Sequence, residues 1–316
     1  MRRAARALGE LAAVLFLVSL GVFLLVTAMP GDPAVMVLGE GHPPEAYDEV
    51  RSELGLDRPV FEQYLDWLAS AVTGDLGTSL VPPQHEVAER LLLALPVSLQ
   101  LAAMALVIAL AVAIPLAMWS AHHEGGRIDR AVSAGTFGVL SVPPFLAGLL
   151  LIMVFAGGLG WFPRAEWARL GDGLAANLHH ALLPALTIAL MELAQFTRVL
   201  RNDLTVTLRE DHILASRARG RSPVRVLVSD ALRPSSFSLV TLLGLSVGRL
   251  IGSTVVVEYL FSLPGVGSLV VGAANQGDVP TVQGAVLAIA VFYVLANAAI
   301  DLSYRALDPR IRRSHV

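Results

Sequence analysis

The chain has 316 residues, of which 55% are hydrophobic and 16% charged, with a formal net charge of −3 and a mean hydropathy of +0.65. Soluble domains run at roughly 45–50% apolar and about 25% charged, so a pair of water-soluble domains is excluded and membrane spans are expected. All 23 basic residues are arginine and cysteine is absent, which excludes a lysine-bearing phosphate loop, a Schiff base, a disulfide framework and a cysteine-held metal.

A span needs about 20 apolar residues at a rise of about 1.5 Å each. The first such stretch, residues 9–29, follows Arg2, Arg3 and Arg6. Thr27-Ala28-Met29 loosely resembles a cleavage site, but the run exceeds the roughly 7–15-residue core of a signal peptide and reads as an uncleaved anchor. Residues 30–94 follow as a long patterned segment. Pro44 to Leu54 reads as a short amphipathic helix stopped by Gly55. Behind Arg58-Pro59, the residues Phe61, Tyr64, Leu65 and Leu68 fall on one helical face, with Trp67 beside them. Gly74-Asp75-Leu76-Gly77 breaks the chain, and a third helical stretch from about Pro83 leads onward. This segment reads as an interfacial cap or as a docking platform for an external partner.

The remaining spans are residues 95–118, 131–157, 181–200, 236–258 and 281–304. The third of the six contains Pro143-Pro144, a kink whose freed carbonyls need partners inside a bundle. The expected class is therefore all-α with six transmembrane helices. Residues 1–94 form an anchor and outer segment, and residues 95–316 a five-helix core. With the N-terminus inside, the cytoplasmic segments hold 17 arginines and the outer segments 5, which places both termini in the cytoplasm. Acidic residues sort the other way, 15 outside against 7 inside.

Between the fourth and fifth spans, Asp211 is placed to cap a short helix that Gly220 ends in the left-handed conformation. Ser222-Pro223 starts a second helix, expected to run to Arg233 before Pro234. A helix this short is marginal alone and needs a surface to pack on. Ala215, Ser216 and Ala218 have little bulk, so another protein can approach closely; anionic lipid is the other surface available to such a basic loop.

The run from Arg209-Glu210-Asp211 through Ala218-Arg219-Gly220 resembles the cytoplasmic "EAA" loop of ATP-binding-cassette importer permeases. The chain is most similar to the oligopeptide/dipeptide/nickel permease family, in the subunit type with a long outer segment after the first span. The resemblance extends over nearly the whole sequence. It includes Pro30-Gly31-Asp32-Pro33, Leu54-Gly55-Leu56-Asp57-Arg58-Pro59, Gly74-Asp75-Leu76-Gly77-Thr78-Ser79 and Gly160-Trp161-Phe162-Pro163. Further on come Val255-Val256-Val257-Glu258, Pro264-Gly265-Val266-Gly267, Asp278-Val279-Pro280 and Asp308-Pro309-Arg310. The family usually carries alanine at Ser216, lysine at Arg219 and an Arg-Asn pair at Arg233-Pro234.

The resemblance implies a type I importer permease in the bacterial inner membrane, surrounded by membrane lipid. It implies pairing with a homologous second permease, two ATPase subunits beneath and a substrate-binding protein outside. ATP and magnesium belong to the ATPases, and this chain is expected to bind no cofactor, metal or nucleic acid and to catalyse nothing itself. The ATPase-coupling residues implied are Glu210, Asp211, His212, Ala215, Ser216, Arg217, Ala218, Arg219 and Gly220. Peptides are the implied cargo, with nickel or another small solute as the alternative within the family. Outside it, the competing class is an ion- or proton-coupled transporter, for which no internal repeat is visible.

Intramembrane charges usually face a bundle interior or water. Glu192, Gln195 and Arg249 are candidates for the translocation path, together with Glu258; a Glu192–Arg249 pair is one arrangement. Asp301 and Arg305 lie one turn apart and suit an interfacial pair. The doublets His122-His123 and His179-His180 point about 100° apart on a helix and are poor metal pairs.

Overall fold

The structure is a computed structural model and describes residues 2–28 and 31–307, excepting the side chains of residues 2–8, 251 and 301–307. The expected Asp301–Arg305 pair and the Asp308-Pro309-Arg310 motif lie outside what is described. The described residues are helical almost throughout, with one isolated strand-like pairing, Thr78 with Glu86. Among them, five helices are long and apolar enough to cross a membrane, six if one bent pair counts as a single span.

The chain divides into two compact units, residues 1–98 with 264–316 and residues 99–263. The segment from residue 264 onward belongs with the N-terminal unit.

In the first unit, α1 (Arg2–Thr27) packs along α13 (Val279–Leu307), and α12 (Val266–Gln276) packs on α13. Val22 and Val26 of α1 are buried with Ala273 and Val282. A second cluster joins Val87, Leu91 and Ala94, in the first turns of α5 (Val87–His122), to Val266 and Ala285. The segment after α1 supplies α2 (Pro33–Leu38), α3 (Pro44–Glu53) and α4 (Val60–Thr73). Gly55 ends the α3 region in the left-handed conformation at φ +67°, as its position suggests. The apolar face expected on α4 is only partly used. Tyr64 is buried, its hydroxyl 2.8 Å from Ser19 Oγ, whereas Phe61 is 69% exposed and Leu65 45%. The single aromatic anchor suffices because Phe23 packs edge-on to Tyr64 at 5.4 Å and Trp67 lies 5.9 Å from Phe23.

The helix expected from Pro83 starts only at Val87. Residues 78–86 instead fold back as a loop, with Ser79 N donating to His85 O at 3.0 Å and Val87 N to Gly77 O. Tandem prolines supply no backbone donors, so the loop ladder closes around them.

In the second unit, α6 (Arg127–Ser141) and α7 (Pro144–Leu151), extended by a π-helical turn over Ile152–Gly158, form the bent pair. The bend is 103°, far sharper than the kink expected at Pro143-Pro144. Pro143 is extended at ψ 140° and Pro144 restarts the helix as its first residue. Beyond a short 3₁₀ turn at Leu170–Asp172 comes α8 (Leu174–Thr207), and then α9 (Asp211–Ala218). A further helical run comprises α10 (Pro223–Arg225), a π-helical turn (Val226–Ala231) and α11 (Leu232–Leu260). Helices α8 and α11 pack together, with Ala185 and Ala189 buried on one and Gly244 and Gly248 on the other. Small residues allow close helix approach where lipid removes the hydrophobic incentive. Helix α7 packs on both. A Cβ on its Gly148 would sit 2.6 Å from Leu260 Cδ2 and 3.0 Å from Thr187 Cγ2.

Candidate functional site

Two clusters in the second unit contain the residues singled out by sequence, Glu258 excepted. The first is α9 with its flanks. Glu210, rather than Asp211, is the N-cap; Asp211 is the first helical residue, where its charge still complements the helix dipole. At the other end Gly220 has φ +75°, Gly220 N donates to Arg217 O at 2.9 Å, and Arg221 N approaches Ser216 O at 3.4 Å. This is the Schellman arrangement expected of a glycine at that position.

Helix α9 buries Ile213 completely and Ser216 almost so, one turn apart. Ser216 therefore points inward and is no part of a low-bulk outer face. Its hydroxyl donates to Asp230 Oδ2 at 2.7 Å, and Arg221 Nη1 donates to Asp230 Oδ1 at 2.6 Å. One carboxylate thus ties the helix and the turn after it to the π-helical segment. His212 Nδ1 lies 3.1 Å from Glu210 Oε2, and its Nε2 lies 3.4 Å from the Asp230 carbonyl oxygen. The expected break at Pro234 is absent, since α11 runs through it. The carbonyl that Pro234 cannot engage is that of Asp230. The preceding π-helical turn widens the helix there, and His212 faces the freed oxygen. Outward, α9 presents Leu214, Ala215, Arg217 and Ala218, followed by Arg219, all exposed. Val224 and Val228 are exposed on the next helical run, 72% and 48% respectively.

The second cluster lies between α8 and α11. Glu192 is 3% exposed. Ser246 Oγ donates to its Oε2 at 2.6 Å, and Arg249 Nη2 reaches Oε1 at 2.9 Å, Oε2 at 3.0 Å and Gln195 Oε1 at 3.1 Å. The structure thus brings together Glu192, Gln195 and Arg249. Arg249 offers only one edge to this cluster, and its side chain remains 49% exposed. Glu258 does not join it: nine residues further along α11, it lies about 13 Å away along the axis and is fully buried.

Sequence reasoning missed three supports. Asp230 has no periodic relation to Ser216. Asp129, on α6, accepts from Ser120 Oγ, Gly125 N and Arg201, and so joins α5, the turn after it and α8. In the first unit, Asp278 is 1% exposed and accepts from Ser79 Oγ (2.6 Å), Leu80 N (3.0 Å) and Thr281 Oγ1 (2.6 Å), with Arg90 Nη1 at 3.3 Å. The histidine doublets engage backbone oxygens: His123 with Trp119, His179 with Trp161 and His180 with Ala176.

The family described as "Binding-protein-dependent transport system inner membrane component" matches residues 113–313, and its N-terminal companion matches residues 1–102. The oligopeptide transport system permease protein AppB of Bacillus subtilis is 35% identical, with 92% of each chain covered. The di/tripeptide transport system permease protein DppB of Pseudomonas aeruginosa is 33% identical over 98% of each chain. The glutathione transport system permease protein GsiC of Escherichia coli is 34% identical over 94% of each. With its apolar helices and matches along nearly the whole sequence, this multi-pass membrane chain belongs to the family of binding-protein-dependent transport system inner membrane components, as a permease subunit.

Proposed function

We propose that the chain is one of two membrane subunits of an ATP-driven peptide importer, with both termini and α9 on the cytoplasmic side of the inner membrane. The observation carrying the coupling role is the seating of α9. Ile213 and the Ser216–Asp230–Arg221 tie hold an otherwise marginal helix rigidly, while Leu214, Ala215, Ala218 and the arginines face outward for an ATPase subunit to grip. Closure of two ATPases around ATP and magnesium then moves α9 as a lever, and the bundle passes between inward- and outward-open arrangements. The relatives are named for oligopeptides, di- and tripeptides and glutathione, which supports a peptide cargo delivered by an external binding protein. A homologous second permease completes the path. Glu192, Gln195 and Arg249 line it, since a half-exposed guanidinium within an apolar span must face water or protein; Glu258 serves the bundle interior.

Reconstitution of the chain with its second permease, ATPases and binding protein tests this function. Peptide uptake should need ATP and the ATPase. Uptake driven by a proton gradient without ATP overturns it.

A further inference from the structure

The outer segment of the first unit borders a half-open cavity of about 750 Å³, within the range of about 300–1,000 Å³ usual for ligand pockets. Its floor is made by Phe23 and Val26, at the end of the apolar stretch of α1, and by Val279, where α13 begins. Both helices are long and apolar enough to cross a membrane, over Gly9–Thr27 and Val279–Ile300. The floor therefore lies where hydrocarbon gives way to headgroups. Trp67 forms a wall, fixed by rings 5.9 Å (Phe23) and 6.2 Å (Tyr64) away, as suits an aromatic at that level.

The rim carries charges of both signs. Arg51 is held by Asp32 and Asp48, and Arg58 Nη1 by Asp66 at 2.8 Å. Glu53 and Asp75 also line the cavity, and among the described residues neither has a basic partner. The surplus is acidic, so it attracts a cationic group and disfavours a net anionic one. Arg58 offers further donors to a phosphate, because only its Nη1 is engaged.

We infer that this cavity holds the headgroup of an ammonium-bearing, zwitterionic membrane phospholipid of the phosphatidylethanolamine type. The ammonium lies against Glu53 and Asp75, the phosphate faces Arg58, and the acyl chains leave along α1 and α13. A peptide carries the same ammonium, but a floor at the hydrocarbon boundary suits an amphiphile better.

The test is the lipid retained by the full chain in its assembled transporter, taken from nanodiscs of mixed phosphatidylethanolamine and phosphatidylglycerol. From nanodiscs holding equal amounts of the two lipids, the retained phosphatidylethanolamine-to-phosphatidylglycerol ratio should be about tenfold above the bulk ratio, as expected for one partly desolvated charge pair. The Glu53→Gln/Asp75→Asn variant should return to the bulk ratio. An asparagine side chain at the second position keeps an oxygen to accept from Gly77 N, as Asp75 Oδ1 does in the parent chain, so the turn stays closed. Ser70→Phe, which narrows the cavity from its lining and leaves both carboxylates in the sequence, should also reduce the enrichment. A bulk ratio in the parent chain, enrichment of phosphatidylglycerol, unchanged enrichment in either variant, or displacement of the lipid by a dipeptide overturns the inference.

Discussion

Replacing Ile213 by alanine, beside the same truncation at its neighbour Leu214, separates the seat of α9 from its outer face. Ile213 is fully buried, and Leu214 is 53% exposed. Truncation of a buried isoleucine costs about 2–5 kcal/mol. The lower part of that range, about 2–4 kcal/mol, applies here because an eight-residue helix can relax toward its support. At about 1.4 kcal/mol per tenfold, local opening of α9 should become roughly 30- to 1,000-fold more frequent. Leu214→Ala removes mainly solvent-facing surface and should change stability by less than about 0.5 kcal/mol. Amide hydrogen exchange across residues 213–219 of the assembled transporter reads both effects. The expected pattern is loss of protection in Ile213→Ala alone, with ATP-driven uptake reduced in both variants. Protection that stays within about threefold of the parent in Ile213→Ala, on a scale where about 0.6 kcal/mol is that factor, refutes the seating argument. Normal uptake in Leu214→Ala refutes the assignment of the outer face.

Glu192→Ala leaves Ser246 Oγ buried without its acceptor and Arg249 without its counter-ion. Breaking a fully buried pair costs about 3–5 kcal/mol, and the half-exposed Arg249 places this case at the low end. Thermal unfolding in detergent should show a clear loss for alanine and a smaller one for glutamine; if Glu192→Ala and Arg249→Ala both assemble and transport at parental rates, the path assignment fails. Asp278→Ala strips four donors of one acceptor in the first unit and should cost about 3 kcal/mol or more. Its readout is proteolysis within residues 78–86, which should quicken, with Asp278→Asn intermediate. The Arg51 guanidinium beside Asp32 holds that carboxyl below its ordinary value of 3.8. A lowered folded-state pKa stabilises above the unfolded value and loses its effect as pH falls through the folded one. Proteolysis between α2 and α3 should therefore be flat from about pH 7 to 5 and rise only below about pH 4, whereas Asp32→Asn should be cleaved faster at neutral pH.

The long apolar runs, their arginine flanks and the Asp211–Gly220 segment were legible because each rests on local chemistry. Hydrocarbon thickness sets a span's length, and a left-handed glycine ends a helix wherever it stands. Proline rules were legible in kind but not in degree. Pro143-Pro144 turned the chain through 103°, while Pro234 broke nothing, because a π-helical turn and His212 took up the carbonyl it released. The sign of a proline's effect is local, but its size depends on what neighbouring elements offer the freed backbone.

By itself the sequence determined that this is an all-helical membrane chain with several long apolar helices and a short helix ended by Gly220, and that it lacks the lysine for a phosphate loop. Only the tertiary structure decided which way those helices face. Ser216 turned inward because Asp230, on another element, accepts a hydrogen bond from its hydroxyl. Glu192 and Arg249 met because α8 and α11 pack at that register, and Asp278 gathered Ser79 and Leu80 from about 200 residues away. A periodic pattern carries the position of a helix along the chain. A buried polar partner lies at whatever sequence distance the packing brings close, and no local signal encodes that distance.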